Sequence, residues 1–336
     1  MKIAVIGAGA IGSLVAGYLK LKGQEVVLIG RKDAVDAINS DGLRISGALG
    51  EHTVRVEAAR SLRQEPDLAI LCTKTQDIEA AIQEHLLMLR GSTILTTQNG
   101  IRAEEIIARH ILKEKIISSI VMFGATYVQP GKVVHNFEGS WVLGSIFGGA
   151  TEDSLAEWCA LLEAVARTLF TENILAMKYV KVFVNANNCI PGILGVSMQE
   201  AFLDKEISKI GIGIWKEGFE LVSRADIKLV SLPGFPVENI TKLTALPSAQ
   251  AADIFSGIMT KLSKDPVYGS ILQSIMRGRV SEVEYINGEF VRLAKARGSV
   301  APLNEKLVKM VHEVERTGHF LSKEQLLNEV KSLVGM

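Results

Sequence analysis

The sequence predicts an α/β chain, with a doubly wound parallel sheet first and an all-α domain after it. Three observations carry this reading. A GxGxxG turn sits between a short apolar run and an amphipathic helical pattern at the very start of the chain. Short apolar runs then alternate with helical patterns through the first half, the signature of strands crossing over by helices. From Ile174 onward the pattern is helical almost to the end.

Ile3–Ile6 reads as a short buried strand, and Gly7, Gly9 and Gly12 supply the glycine turn. The helix behind it places Ile11, Leu14, Val15, Tyr18 and Leu19 on one face, and Gly23 is a natural C-terminal cap. The three glycines differ in what they permit. The first allows the tight turn, the second lets backbone approach a pyrophosphate, and the third lets helix and strand pack closely. A diphosphate at the helix N-terminus would meet unpaired N–H groups and the positive end of the dipole. Gly7, Ala8, Gly9, Ala10, Ile11 and Gly12 are therefore the expected dinucleotide cradle of a Rossmann-type domain. A lone GxGxxG is weak, and glycine-rich turns are often only turns; strand before and helix after give the confirming context.

The second strand, Glu25–Gly30, ends where an NAD enzyme would carry Asp or Glu, about 20 residues past the motif. This chain has Gly30, Arg31 and Lys32. An acid would repel a 2′-phosphate, whereas Arg31 would pair with it through a charge-assisted bond of roughly 1.5–3 kcal/mol. NADP is the cofactor expected, against the plainer reading of a solvated basic pair.

At 336 residues the chain is long enough for two domains, and 48% apolar with 22% charged residues marks a soluble globular protein. Zero formal net charge points away from an extended nucleic-acid or anionic-membrane surface. Cys72, Cys159 and Cys189 are widely spaced, which fits a reducing compartment, and the cytoplasm is expected. The apolar N-terminus with Lys2 mimics a signal peptide, but the glycine spacing and the completed β-α-β unit oppose that. No apolar run reaches the roughly 18 residues of a membrane span, and no metal site is expected.

After Arg31 come a helix over Ala34–Asn39 and two strand-like pieces, Leu43–Ser46 and Thr53–Glu57, read as a small antiparallel insertion. Pro66–Cys72 is a buried strand ending in Lys74, Ile78–Leu89 a helix, and Thr93–Thr97 a strand ending in Asn99-Gly100 with Ala103–His110 helical behind it. Ligands bind such sheets at the carboxyl ends of the strands, where Gly7–Gly12, Arg31, Lys74 and Asn99 all fall. Taken singly, Lys74 or Asn99 would be a solvated loop residue more often than not. Ile116–Met122 continues the sheet, Lys132–His135 and Trp141–Leu143 read as an antiparallel pair, and a helix over Glu152–Leu169 closes the domain. The domains are accordingly 1–172, NADP-binding, and 173–336, all-α and substrate-binding.

Two stretches of the helical half carry chemistry. Lys181, Asn185, Asn188 and Cys189 fall on one helical face among Val182, Phe183, Val184 and Ile190. Such a polar stripe needs partners, and a substrate would provide them; a snorkelling lysine beside an asparagine is the alternative. Lys178 could share the face, and its replacement is expected to be near neutral. The second stretch runs from Ser270 through Arg279, Ser281, Glu282 and Glu284 to Tyr285-Ile-Asn-Gly288. Ser281 as a helix cap with Glu282 and Glu284 in the first turn would explain both acids without chemistry.

The ordered set resembles the ketopantoate reductase (2-dehydropantoate 2-reductase) family across essentially the whole chain. Its marks here are Gly7/Gly9/Gly12, Arg31, Lys74, Asn99-Gly100, Lys181/Asn185 and Gly278-Arg279/Ser281-Glu282/Tyr285-Ile-Asn-Gly288. The resemblance implies that Lys181 is the general acid and that Glu282 lies beside substrate and nicotinamide. It implies that Asn185 and Ser270 contact a 2-oxo acid, with Cys189 standing at the position of a second family Asn. Arg31, Lys74 and Asn99 are implied to hold NADPH. A protonated lysine suits ketone reduction, since it polarises the oxygen and then gives up its proton. Departures at Cys189, at Pro266–Gly269 and at Ser274 border the substrate positions, so a paralogue acting on another branched 2-oxo acid is the alternative. A non-catalytic NADPH-binding sensor is a third reading, opposed by the presence of Lys181 and Glu282. The apolar helices Ile210–Val222 and Ala251–Leu262 make a homodimer possible.

Overall fold

The computed structural model describes residues 1–334, which divide into two compact units, Met1–Leu175 and the chain from Ala176 on. The first opens with β1 (Lys2–Ile6), α1 (Ala10–Leu21), β2 (Glu25–Ile29) and α2 (Lys32–Asp41). Then come β3 (Leu43–Gly47), β4 (His52–Val54), β5 (Glu57–Ala59), β6 (Leu68–Leu71), α3 (Ile78–Leu89), β7 (Thr93–Thr96), α4 (Ala103–Ile107) and β8 (Ile116–Val121). β9 (Gly124–Gln129), β10 (Lys132–Phe137), β11 (Ser140–Gly144), α5 (Glu152–Leu162) and β12 (Arg167–Phe170) complete the unit.

Eight strands form the main sheet in the order β12-β11-β8-β7-β6-β1-β2-β5, with β11 antiparallel to β8 and the rest of the pairs parallel. Strand alternation sends Ile3 and Val5 to one face, with Leu14 and Leu19 of α1, and Ile6 to the other, with Ile78 and Ile82 of α3. β2 lies on one side of β1 and β6 on the other, so strand order reverses at β1 and its carboxyl end adjoins the switch point.

Three expectations are corrected here. The piece Thr53–Glu57 is not one strand: β4 pairs antiparallel with β3, whereas β5 joins the edge of the main sheet parallel to β2. The Asn39 side chain explains the switch, because it bonds both the carbonyl (2.9 Å) and the N–H (3.2 Å) of edge residue Ala58. β10 and β11 do not pair with each other. β10 sits in a second sheet, β4-β3-β10-β9, and β11 in the main sheet. The half-exposed β9 forms a hairpin with β10 across Pro130-Gly131, and no alternation of burial announces it in sequence. Finally, the closing helix stops at Leu162, so Val165 and Leu169 are off it. Glu163 Oε1 accepts the Thr168 N–H over 2.6 Å, turning the chain so that β12 can pair with β11. The second sheet is anchored to α1 where the Tyr18 hydroxyl meets His135 Nδ1 at 3.0 Å.

α6 (Ile174–Ala186) spans the boundary between the units. The second unit continues with α7 (Cys189–Leu194), α8 (Met198–Leu203), α9 (Lys205–Arg224), α10 (Glu238–Ala245) and α11 (Ser248–Met259). It ends with α12 (Ser270–Ile275), α13 (Asn287–Ala296), α14 (Pro302–Thr317) and α15 (Lys323–Val334). Apart from one isolated bridge, Leu232–Phe235, its described residues hold no strand pairing. α9 is the central helix, with Ile207, Ile210, Ile214 and Leu221 buried. The Phe183 and Phe290 rings, 4.9 Å apart between centroids, lock α6 to α13.

Candidate functional site

The carboxyl ends of β1, β6 and β7 open on one rim of the first unit. A side-chain carbon at Gly7 would lie 2.7 Å from the Cys72 carbonyl carbon, and one at Gly12 would collide with the Gly7 carbonyl oxygen. Close strand–helix packing therefore fixes both glycines. Gly9 is different: a carbon there would meet nothing within 4 Å, so its bareness keeps space open over the first turn of α1. No side chain caps that turn and no acid lies in it. Its N–H groups and dipole are thus available to an anion. Thr73 Oγ1, buried nearby at the end of β6, has no hydrogen-bond partner among the described residues. An anionic group on this rim would satisfy donors of this kind. The residues present fit a dinucleotide diphosphate.

Position 30 cannot hold an acid. A side-chain carbon on Gly30 would stand 2.6 Å from Ala8 Cβ, so packing of the glycine turn excludes one. Next to it, Lys32 is paired with Asp36 at 2.5 Å, while exposed Arg31 has no ion-pair partner among the described residues. Lys74 and Asn99 sit half-buried in the loops after β6 and β7, and those loops are stitched together. Gln98 Nε2 donates to the carbonyls of Leu71 (2.8 Å) and Thr73 (2.9 Å), and its Oε1 accepts the Thr97 N–H at 3.1 Å. Sequence reasoning passed over Gln98. The only signal for it was a long amide at a strand end beside Asn99. Burial pushes the Cys72 thiol up to about 12, so it is inert at this rim.

In the second unit, half-buried Lys181 and Asn185 lie one turn apart on α6. Burial pushes the Lys181 ammonium down to about 8, which leaves it protonated at neutral pH yet ready to release its proton. Neighbouring Lys178 is only 2% exposed. It is a packed core residue, so its loss bears on stability.

The polar stripe does not run along one helix. α6 ends at Ala186, Asn187 and Asn188 form a turn, and α7 starts at Cys189. Pro191 is the physical reason. It has no N–H to continue the α6 ladder, but is tolerated in the first turn of a new helix, where N–H groups are orphaned anyway. The break carries Cys189 inward: it is 0% exposed, its thiol is pushed up to about 12 by burial, and the Asn287 side chain lies against it. Any substrate contact from Cys189 would require this packing to open. Half-buried Asn188 instead approaches the Ser270 turn, its Oδ1 2.8 Å from where a Gly269 side-chain carbon would be. Ser270 itself opens α12, exposed.

Glu282 is half-buried, and Ser281 does not cap an α-helix. A 3-10 turn, Val283–Tyr285, intervenes, and α13 begins only at Asn287. Helix capping therefore does not account for Glu282 or Glu284. Asn287 Nδ2 donates to Ala186 O (3.1 Å) and to Asn304 Oδ1 (3.0 Å), while Glu217 accepts from the Leu303 and Asn304 N–H groups, both at 2.9 Å. The segment bearing Glu282 is thereby braced against the end of the helix bearing Lys181. That network was not anticipated, since its members lie far apart in sequence.

Comparison with known proteins follows the same division. The family model "Ketopantoate reductase PanE/ApbA" matches residues 3–148, and "Ketopantoate reductase PanE/ApbA C terminal" matches 173–315. A 2-dehydropantoate 2-reductase of Pyrococcus horikoshii is 33% identical over 320 residues, covering 95% of this chain and 99% of the relative. Among solved structures, a D-mandelate dehydrogenase with NADH and anilino(oxo)acetate superposes with a TM-score of 0.81 at 26% identity, covering 94% of this chain and 99% of that one. A PanE/ApbA family ketopantoate reductase from Ralstonia eutropha superposes at 0.79 with 24% identity, over 95% and 100% of the two chains, and speaks to the fold.

Proposed function

Because this chain belongs to the ketopantoate reductase family, we propose that it reduces 2-dehydropantoate to pantoate with NADPH, in pantothenate biosynthesis, with Lys181 as general acid. The observation that carries the proposal is Lys181 itself, half-buried and pushed down to about 8, one turn before Asn185 on a braced helix. The glycine cradle Gly7–Gly12 with Arg31, Lys74 and Asn99 would hold the dinucleotide, and Glu282 would lie beside its nicotinamide end. Bound there, the cofactor supplies the hydride that reaches the ketone carbon. The protein's part is placement and charge. The Lys181 ammonium polarises the carbonyl oxygen, stabilises the negative charge that develops on it, and donates the proton that completes the alcohol, a contribution of roughly 10²–10⁴-fold. Asn185 and Ser270 would fix the 2-oxo acid.

A second reading has its own support. The D-mandelate dehydrogenase likeness, together with Cys189 where the family's amide is usual, favours a reductase of another 2-oxo acid, with NADH as a candidate donor. Rates over a panel of aliphatic and aromatic 2-oxo acids, each with NADPH and NADH, decide between the two. The highest kcat/KM is expected for 2-dehydropantoate with NADPH. A higher value for an aromatic 2-oxo acid, or for NADH, would replace the substrate or the cofactor accordingly, and inactivity on all would favour a binding protein.

A further inference from the structure

Glu282 immediately precedes a short 3-10 turn, Val283–Tyr285. The turn's internal bonds include the Tyr285 N–H to the Glu282 carbonyl (2.9 Å), the Ile286 N–H to the Val283 carbonyl (3.2 Å) and the Val283 N–H to Ser281 Oγ (3.3 Å). A 3-10 turn has poorer hydrogen-bond geometry than an α-helix, so contacts from other elements add to its rigidity.

α14 supplies such contacts. Glu315 Oε1 accepts the Ser281 backbone N–H over 2.7 Å, just before Glu282. On the other side, Glu284 Oε1 lies 3.2 Å from His312 Nε2. His312 Nδ1 is in turn 2.9 Å from Glu315 Oε2, so the ring joins the two anchors. His312 and Glu315 are three residues apart and share a helix face, which lets one helix grip both ends of the turn.

Both ring nitrogens face carboxylates, so both must donate, and only the imidazolium can do that. Hydrogen bonds to Glu284 and then Glu315 raise His312 to about 9 despite its partial burial. Burial alone would raise Glu315, but bonds from His312 and Ser281 outweigh it and hold the carboxyl below its usual range. The charges acting on the ring are Glu284 from the 3-10 turn and Glu315 from its own helix. Arg316, one turn on along the same helix, pairs with Glu313.

We propose that His312, Glu315 and Glu284 are positioning residues that set the orientation of Glu282 and act on the reduction through it. The inference rests on the reading of Glu282 as a cofactor- and substrate-side carboxylate. A carboxylate displaced by a fraction of an ångström loses much of its effect on a reacting centre.

A double-mutant cycle on the full-length protein tests this, with 2-dehydropantoate and NADPH as substrates. His312→Gln should lower kcat by about 3- to 30-fold in the wild-type background and by less than about twofold when Glu282 is already Ala. Glu284→Ala, at an exposed position that threatens folding least, should show the same dependence on Glu282. The wild-type to His312→Gln ratio of kcat/KM should also shrink toward one as pH rises through about 9; Lys181 is common to both proteins and cancels. Effects of equal size in both backgrounds, or wild-type turnover by the His312→Gln and Glu284→Ala proteins, would overturn the positioning role. Wild-type turnover by Glu282→Ala would instead remove the reading of Glu282 on which the inference stands.

Discussion

Asn287 donates through Nδ2 to the carbonyl of Ala186 over 3.1 Å, binding the first residue of α13 to the last of α6. The same amide group serves Asn304 Oδ1, and both asparagines are 0% exposed. Removing it orphans two buried acceptors, each carrying a desolvation cost. Asn287→Ala should destabilise the protein by about 1–3 kcal/mol in urea unfolding. An unchanged midpoint would show that water replaces the amide without loss.

The proposed role of Lys181 as general acid carries a pH signature. Below about 8 Lys181 is protonated and competent; above it the proton is lost. The kcat/KM of ketone reduction should therefore fall as pH rises through about 8, while alcohol oxidation, which needs the free amine, should rise over the same range. Lys181→Ala should lower kcat by roughly 10²–10⁴-fold, flatten that limb, and leave NADPH affinity nearly unchanged in a titration.

Lys178 separates stability from chemistry. It is buried on the same helix, so Lys178→Ala leaves a cavity and strips an interaction partner. A loss of at least about 2 kcal/mol in stability is expected, with turnover per folded molecule near wild type. Thermal melting and active-site-normalised rates check the two halves separately. Collapse of kcat at full stability would transfer the acid's role from Lys181 to Lys178.

Cofactor preference should reside in Arg31. Arg31→Ala should remove roughly 1.5–3 kcal/mol of the preference for NADPH over NADH, about 10- to 100-fold. Gly30→Asp should disrupt the glycine turn, because Ala8 Cβ occupies the space a side chain needs. Comparing kcat/KM for both cofactors tests the first statement, and melting temperature the second.

How far the sequence speaks depends on how local the controlling contact is. Gly7, Gly9 and Gly12 were legible because strand, turn and helix form from neighbouring residues by steric rule. The helix Ile78–Leu89 was legible from its periodicity, and the Gly23 cap from its place after the last periodic residue, where the backbone takes a positive φ of 81°. The sequence by itself thus determined the α/β and all-α division and the glycine turn at the carboxyl ends of the strands. Tertiary structure alone decided which strand takes which edge. Asn39 grips Ala58 and Glu163 grips Thr168, and short strands such as β5 and β12 have too little pattern to name a neighbour. It also decided that the polar stripe breaks before Cys189, that Gln98 staples two rim loops, and that His312 and Glu315 close on the turn of Glu282. Those contacts join residues far apart in the chain, and periodicity and capping rules, which see only a few residues at a time, hold no information about them.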